Sequence, residues 1–173
     1  MRIVRRNMKP ILNINEIELE QSEKGNLYQE SYQSIGQLIG AEKLGYGISI
    51  VPPNKRACPF HNHHVNEEMF FIIEGNGTLR FGNETYSLKA GDIIACPPGG
   101  KELAHQIINN SDAPLKYLSV STMFEADFAE YPDSGKFGAF APFVTEDGQK
   151  SRRIRFLGRA EDSLDYWDGE PID

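Results

Sequence analysis

Between Ile35 and Met123 every apolar segment is short, and each is stopped by Gly, Pro or Asn. No stretch keeps apolar residues at the i, i+3, i+4 spacing of a helix, and there is no internal repeat. This texture points to an all-β barrel or sandwich. GYGISIVPP reads as a strand stopped at Pro52-Pro53, and MFFIIEG and GTLRFG as a hairpin joined through Gly75-Asn76-Gly77. RFGNETYSL turns at Gly82-Asn83, a dipeptide suited to the positive φ of a two-residue hairpin loop. DIIACPP is a strand entered from Ala90-Gly91 and ended by Pro97-Pro98. LAHQII and LKYLSVSTM follow, separated by Asn109-Asn110-Ser111-Asp112.

Three of the four histidines lie in CPFHNHHVNEEMFFIIEG, residues 58–75, and the fourth, His105, in GDIIACPPGGKELAHQIIN. Side chains alternate along a strand, so His61 and His63 project to one face. Two adjacent glutamates, Glu67 and Glu68, stand where the strand MFFII begins. Imidazole and carboxylate are ligands that a borderline divalent metal accepts. Burying such groups without partners is costly, which favours a metal over an empty polar interior. His64 is out of phase with the pair and reads as a rim residue. Cys58 and Cys96 read as buried thiols, too few for a disulfide framework. Phe60, Phe70, Phe71, Phe81 and Tyr86 read as core, Asn109 as a partner for backbone groups at a strand end, and Gln106 and Lys101 as candidates for substrate contacts.

The two stretches resemble the motifs of the cupin superfamily. The first motif is His-x-His, three or four residues, Glu, six residues, Gly; here it is met by His61, His63, Glu68 and Gly75. The second is Gly, five residues, Pro-x-Gly, a short gap, His, three residues, Asn; here it is met by Gly91, Pro97, Gly99, His105 and Asn109. Lys55 stands where the family has a glycine, and the gap before His105 is longer than the family's short form. The resemblance covers residues 36–122. It implies a double-stranded β-helix (jelly-roll) barrel with His61, His63, Glu68 and His105 as ligands of one divalent transition metal, Zn, Fe, Mn or Ni. Spacing to Gly75 selects Glu68 over Glu67, and alternation then turns Glu67 outward. The resemblance also implies a small-molecule ligand or substrate and a homodimer. It suggests a small metal-dependent enzyme acting on an oxygen-rich molecule (dioxygenase, decarboxylase, isomerase or lyase). The alternative is a metal-containing cupin that binds a sugar or other small ligand without turnover. No catalytic residue beyond the ligands is read from the sequence.

At 173 residues the chain has room for one domain with a sizeable core. Its net charge of −7 argues against nucleic acid or an anionic membrane as partner. No apolar run approaches the length of a membrane span, and none follows the basic start MRIVRRNMK, so a cytoplasmic location is expected. Residues 1–34 read as a partly ordered arm, the alternative being a strand that pairs with the sheet or with a second subunit. The barrel is assigned to 35–123. Residues 124–173 read as a C-terminal extension: residues 125–151 as an irregular segment or with a short helix at Phe124–Glu130, a strand at Arg153–Leu157, then an acidic aromatic end. Phe137, Phe140, Phe143, Phe156, Tyr166 and Trp167 are expected to hold it against the barrel. Arg152, Arg153, Arg155 and Arg159 are expected to pair with acids of the same tail rather than hold an anionic substrate.

Overall fold

A computed structural model describes the backbone of residues 9–144 and 150–172, and the side chains of 9–141 and 156–172. The strands are β1 (Glu20–Lys24), β2 (Tyr28–Ser34), β3 (Leu44–Val51), β4 (Lys55–Arg56), β5 (Asn62–His63), β6 (Glu68–Glu74) and β7 (Asn76–Phe81). They continue as β8 (Glu84–Lys89), β9 (Ile93–Cys96), β10 (His105–Asn109), β11 (Leu115–Thr122), β12 (Asp127–Tyr131), β13 (Lys136–Val144) and β14 (Lys150–Gly158). The helical elements among the described residues are three-residue 3-10 turns.

One sheet runs in the order β8-β7-β10-β4-β2-β3-β11-β6-β9, with β1 on β2. It curls so far that β6 and β8, distant in this order, come into contact. A second sheet, β14-β13-β12-β5, lies beside it, and a backbone bridge between His61 and His105 joins the two. Alternation explains the core. Phe70 and Ile72 of β6 turn inward and Phe71 outward; Ile94 and Cys96 of β9 turn inward and Ile93 outward. With Val51, Leu79, Leu88, Ile107, Leu115 and Tyr117 they form one apolar cluster. Asn109 closes one corner: its amide donates to the carbonyls of Val51 and Ala113, and its carbonyl accepts from Ser111.

Several sequence expectations are corrected. β6 and β7 do not form a hairpin, because both edges of β6 are already taken, by β11 and β9, while β7 pairs with β10 and β8. The single residue between them, Gly75, sends the chain to another part of the sheet at φ 89°. The hairpin at Gly82-Asn83 does form, Phe81 facing Glu84, with Gly82 at φ 54°. Within residues 1–34, β2 pairs with β3 and meets β4, so this segment supplies a strand of the main sheet rather than only a loose arm. Phe124–Glu130 is not helical. Asp127–Tyr131 is β12, in register with β5 on one side and β13 on the other, and β13 turns much of the expected irregular segment into strand. Cross-strand pairing there overrides a local sequence rich in Gly, Pro and acids. Phe71 lies at the surface on the outward phase of β6, while Tyr86, on the same face as Leu88 and opposite Leu79, is exposed because β8 ends the sheet order. The strand at Arg153–Leu157 belongs to the longer β14, while the side chains of Phe143, Arg152, Arg153 and Arg155 lie outside the described residues. No helix among the described residues is long and apolar enough to cross a membrane.

Gly75 shows how tight the corner is: a Cβ there would run into the carbonyl oxygen of Pro114, in a left-handed conformation that already disfavours side chains. Gly75→Ala should cost about 2 kcal/mol or more, a fall in melting temperature of about 4–8 °C by calorimetry. An unchanged melting temperature would show that the corner can relax.

Candidate metal centre

Four of the predicted residues meet at one place. His61 is set by its mutual backbone bonds with His105 (His61 N–H to His105 O, 3.2 Å; His105 N–H to His61 O, 2.7 Å), His63 ends β5, Glu68 opens β6 and His105 opens β10. Glu68 Oε2 lies 3.7 Å from Nε2 of His61, 3.5 Å from Nε2 of His63 and 3.0 Å from Nε2 of His105. His61, Glu68 and His105 are the compact part, their ligand atoms all within 4.8 Å of one another, and could hold a metal ion. His63 stands at the edge of that group.

The far side of each ring faces an oxygen. His61 Nδ1 donates to the Pro59 carbonyl (2.9 Å), His63 Nδ1 to Asp127 Oδ2 (2.6 Å), and His105 Nδ1, more loosely, to the Leu103 carbonyl (3.3 Å). Carbonyl and carboxylate oxygens accept, so these partners place a proton on each Nδ1 and turn each Nε2 toward Glu68, where the 3.0 Å contact of His105 is itself a hydrogen bond. Burial, and then the neighbouring His105, pushes His61 down to about 4, so its imidazole is neutral at pH 7. On Glu68 burial acts upward, but the His105 hydrogen bond and the fields of His63 and His61 outweigh it and hold the carboxyl below its usual range. A carboxylate ringed by nitrogen lone pairs requires positive charge at its centre, either an extra proton of the kind the His105–Glu68 bond implies or a cation. Three imidazoles and one carboxylate are a donor set suited to a first-row divalent metal.

Other candidates fall elsewhere. Glu67 is exposed, its backbone N–H donating to Thr122 Oγ1, and His64 is exposed and bonds Glu130 (3.0 Å). Gln106 is 1% exposed and donates to the Cys58 carbonyl, so it is not at a substrate surface; Lys101 is in an exposed 3-10 turn. Cys58 Sγ approaches the back of His61, 3.9 Å from Nδ1, away from the convergence of Nε2 atoms.

The sequence reading missed what β12 brings. Asp127, 5% exposed, holds His63 and also accepts from the backbone N–H groups of Val65 (3.1 Å), Asn66 (3.4 Å) and Phe128 (2.9 Å) and from Asn66 Nδ2 (2.8 Å). Glu130 accepts from Asn62 (3.1 Å), and the Tyr131 ring stacks 6.1 Å from that of His61. The alternating DFAEY was the available signal: Asp127, Ala129 and Tyr131 share one face of a strand.

A double-stranded β-helix with a histidine–glutamate cluster at one end of the barrel defines a recognisable class. Residues 47–121 match the family model of the cupin domain, so this part of the chain is a cupin domain. An uncharacterized protein of Methanocaldococcus jannaschii is 32% identical over 96 residues, 56% of this chain and 65% of that protein, so the match spans just under two thirds of that relative. Among solved structures, a provisionally named sugar phosphate isomerase from Acidithiobacillus ferrooxidans has a TM-score of 0.74 at 23% identity, covering 90% of this chain and 96% of its own. A cupin-superfamily sugar phosphate isomerase from Silicibacter pomeroyi has a TM-score of 0.72 at 22% identity, covering 92% and 98%. A protein from Thermotoga maritima predicted to be an oxalate decarboxylase has a TM-score of 0.56 at 19% identity, covering 66% and 99%. At these identities the structural likeness is one of fold. In the first two it reaches beyond the barrel.

Burial first, and then the negative charge of Glu68, pushes both thiols up to about 12. At pH 8 only about one molecule in 10⁴ would carry either thiolate. Iodoacetamide should therefore leave Cys58 and Cys96 unmodified for as long as a guanidinium-unfolded sample takes to label completely. Equal labelling rates would mean that the thiols are not held as the structure places them.

Proposed function

We propose that His61, His63, Glu68 and His105 hold one divalent first-row transition metal, Zn, Fe, Mn or Ni, and that the protein is a small metal-dependent enzyme acting on an oxygen-rich small molecule. The observation that carries this reading is the convergence of three Nε2 atoms on one oxygen of Glu68, at 3.0 to 3.7 Å. Such a metal supplies a Lewis acid for a carbonyl or hydroxyl oxygen, or a site for oxygen activation.

Glu68 also borders a cavity of about 250 Å³. Tyr32, Ser34, Tyr46, Ser119 and Ser121 line it with hydroxyl-bearing side chains, and Leu44, Val120 and Met123 give it an apolar side. Hydroxyls that can both donate and accept suit a polyhydroxylated ligand. The names of the two whole-chain structural relatives agree with a sugar derivative, and we favour this over a keto acid or a phenol. Glu68 would face both metal and ligand. Tyr131, stacked on His61, would help to shield the cluster from water.

The chain is proposed to work as a homodimer, without nucleic-acid or membrane partners. A second reading is a cupin that binds such a ligand without turning it over. It is favoured by the cavity lining, in which no histidine, lysine or arginine stands among the described residues to hold a phosphate, and the carboxylates are Glu42 and Glu68.

Metal analysis by mass spectrometry of tag-free protein tests the first step. About one equivalent per chain is expected, falling below about a tenth of that in His61→Ala and His105→Ala. Full occupancy in His105→Ala, or folded protein that takes up no metal, would remove the proposed centre. With the metal in place, ligand saturation without product would select the binding reading.

A further inference from the structure

The matched cupin domain ends at residue 121, yet the only charged side chain that holds the back of His63 among the described residues comes from β12, beyond that limit. β12 is in register with β5, with Ala129 opposite His63 and Glu130 opposite Asn62. Each of the three residues from Asn62 to His64 then has a side-chain partner on β12: Asn62 with Glu130, His63 with Asp127, His64 with Glu130. The hairpin formed by β12 and β13 is tied back to the barrel at its far end. Asp133 there receives two bonds from Arg80 (2.7 and 2.8 Å), and the Arg80 guanidinium lies 3.7 Å above the Phe60 ring.

His63 needs this help more than the other two histidines. His61 and His105 donate at Nδ1 to carbonyls two residues away in their own segments, so the local chain orients them. His63 stands at the edge of the compact cluster, and the partner of its Nδ1 is 64 residues away. Asp127 itself has little freedom. Oδ1 is committed to backbone N–H groups of Val65, Asn66 and Phe128, and Asn66 Nδ2 donates to Oδ2 beside His63. Asn66 is fixed in turn, its Oδ1 accepting from Thr122 Oγ1 (3.1 Å) and the Phe124 N–H (2.9 Å). The carboxylate is therefore held in one orientation, with one oxygen left to face the imidazole.

We infer that Asp127 is a positioning residue for the metal centre: it holds His63 in the Nδ1–H form with Nε2 toward Glu68, which makes the C-terminal extension part of the site. The inference rests on the metal reading above and adds a specific carrier for the fourth ligand. A carboxylate behind a ligating imidazole fixes its tautomer and ring orientation, and losing it typically weakens metal binding by about 10- to 100-fold.

Asp127→Asn separates positioning from simple structural support. The asparagine oxygen can still accept from the three backbone N–H groups, which leaves its amide nitrogen facing His63 Nδ1 and removes only the bond that Oδ2 accepts from Asn66 Nδ2. A donor there forces the proton of His63 onto Nε2, the atom proposed to bind metal. Two measurements follow. Nitrogen-15 NMR of the metal-free protein should show His63 as Nδ1–H in the wild type and Nε2–H in Asp127→Asn, with His61 and His105 unchanged. Zinc titration against a chromophoric chelator should show about 10- to 100-fold weaker binding in Asp127→Asn, but no further weakening when the same change is made in a His63→Ala background. His63 remaining Nδ1–H in Asp127→Asn, zinc binding as tight as wild type, or equal weakening with and without His63 would each overturn the role. Wild-type protein that takes up no zinc would sink the metal reading itself, while the NMR result would still decide whether Asp127 sets the form of His63.

Discussion

Converging lone pairs are the constraint on which the rest of this structure depends. Three imidazole nitrogens and a carboxylate oxygen repel one another unless positive charge lies among them, and no single strand could hold them together against that repulsion. The barrel does so by drawing on three separate places in the chain. His61 and His105 are locked by reciprocal backbone bonds across the two sheets, and Glu68 reaches them from the first residue of β6. Beneath the cluster, Phe70 packs 5.7 Å from the ring of His105 and 5.8 Å from that of Tyr117, so the apolar core begins where the polar site ends. The site is thus built as the polar end of the core cluster.

The segments outside the matched domain contribute to this end of the barrel. From the N-terminal side, β2 places Tyr32 and Ser34 along the cavity that Glu68 borders. From the C-terminal side, β12 pairs with β5, the strand that carries His63. A barrel cut at the domain limits would lose the cavity's outer wall and the partner of His63 together. This agrees with solved relatives whose likeness extends over nine tenths of the chain.

Legibility in the sequence followed the range of the interactions. The Gly82-Asn83 hairpin and the stops at Pro52 and Pro97 are set within a few residues and were readable. The supposed hairpin across Gly75 was misread because a short apolar-glycine-apolar pattern looks alike whether the next strand folds back or departs to another part of the sheet. What decides is that β11 and β9 occupy both edges of β6. Phe124–Glu130 failed in the same way, since its local composition says little, while pairing with β5 and β13 makes most of it a strand.

By itself the sequence determined the short-strand texture and the shared face of His61 and His63, because strand alternation and turn chemistry act over a few residues, while the candidate set that adds Glu68 and His105 is what the motif resemblance implies. Only the tertiary structure decided which strands are neighbours and which nitrogen of each histidine is free. It alone brought Asp127, 64 residues away, behind His63. Those outcomes depend on backbone pairing and burial between distant segments, and no local period of the sequence encodes them.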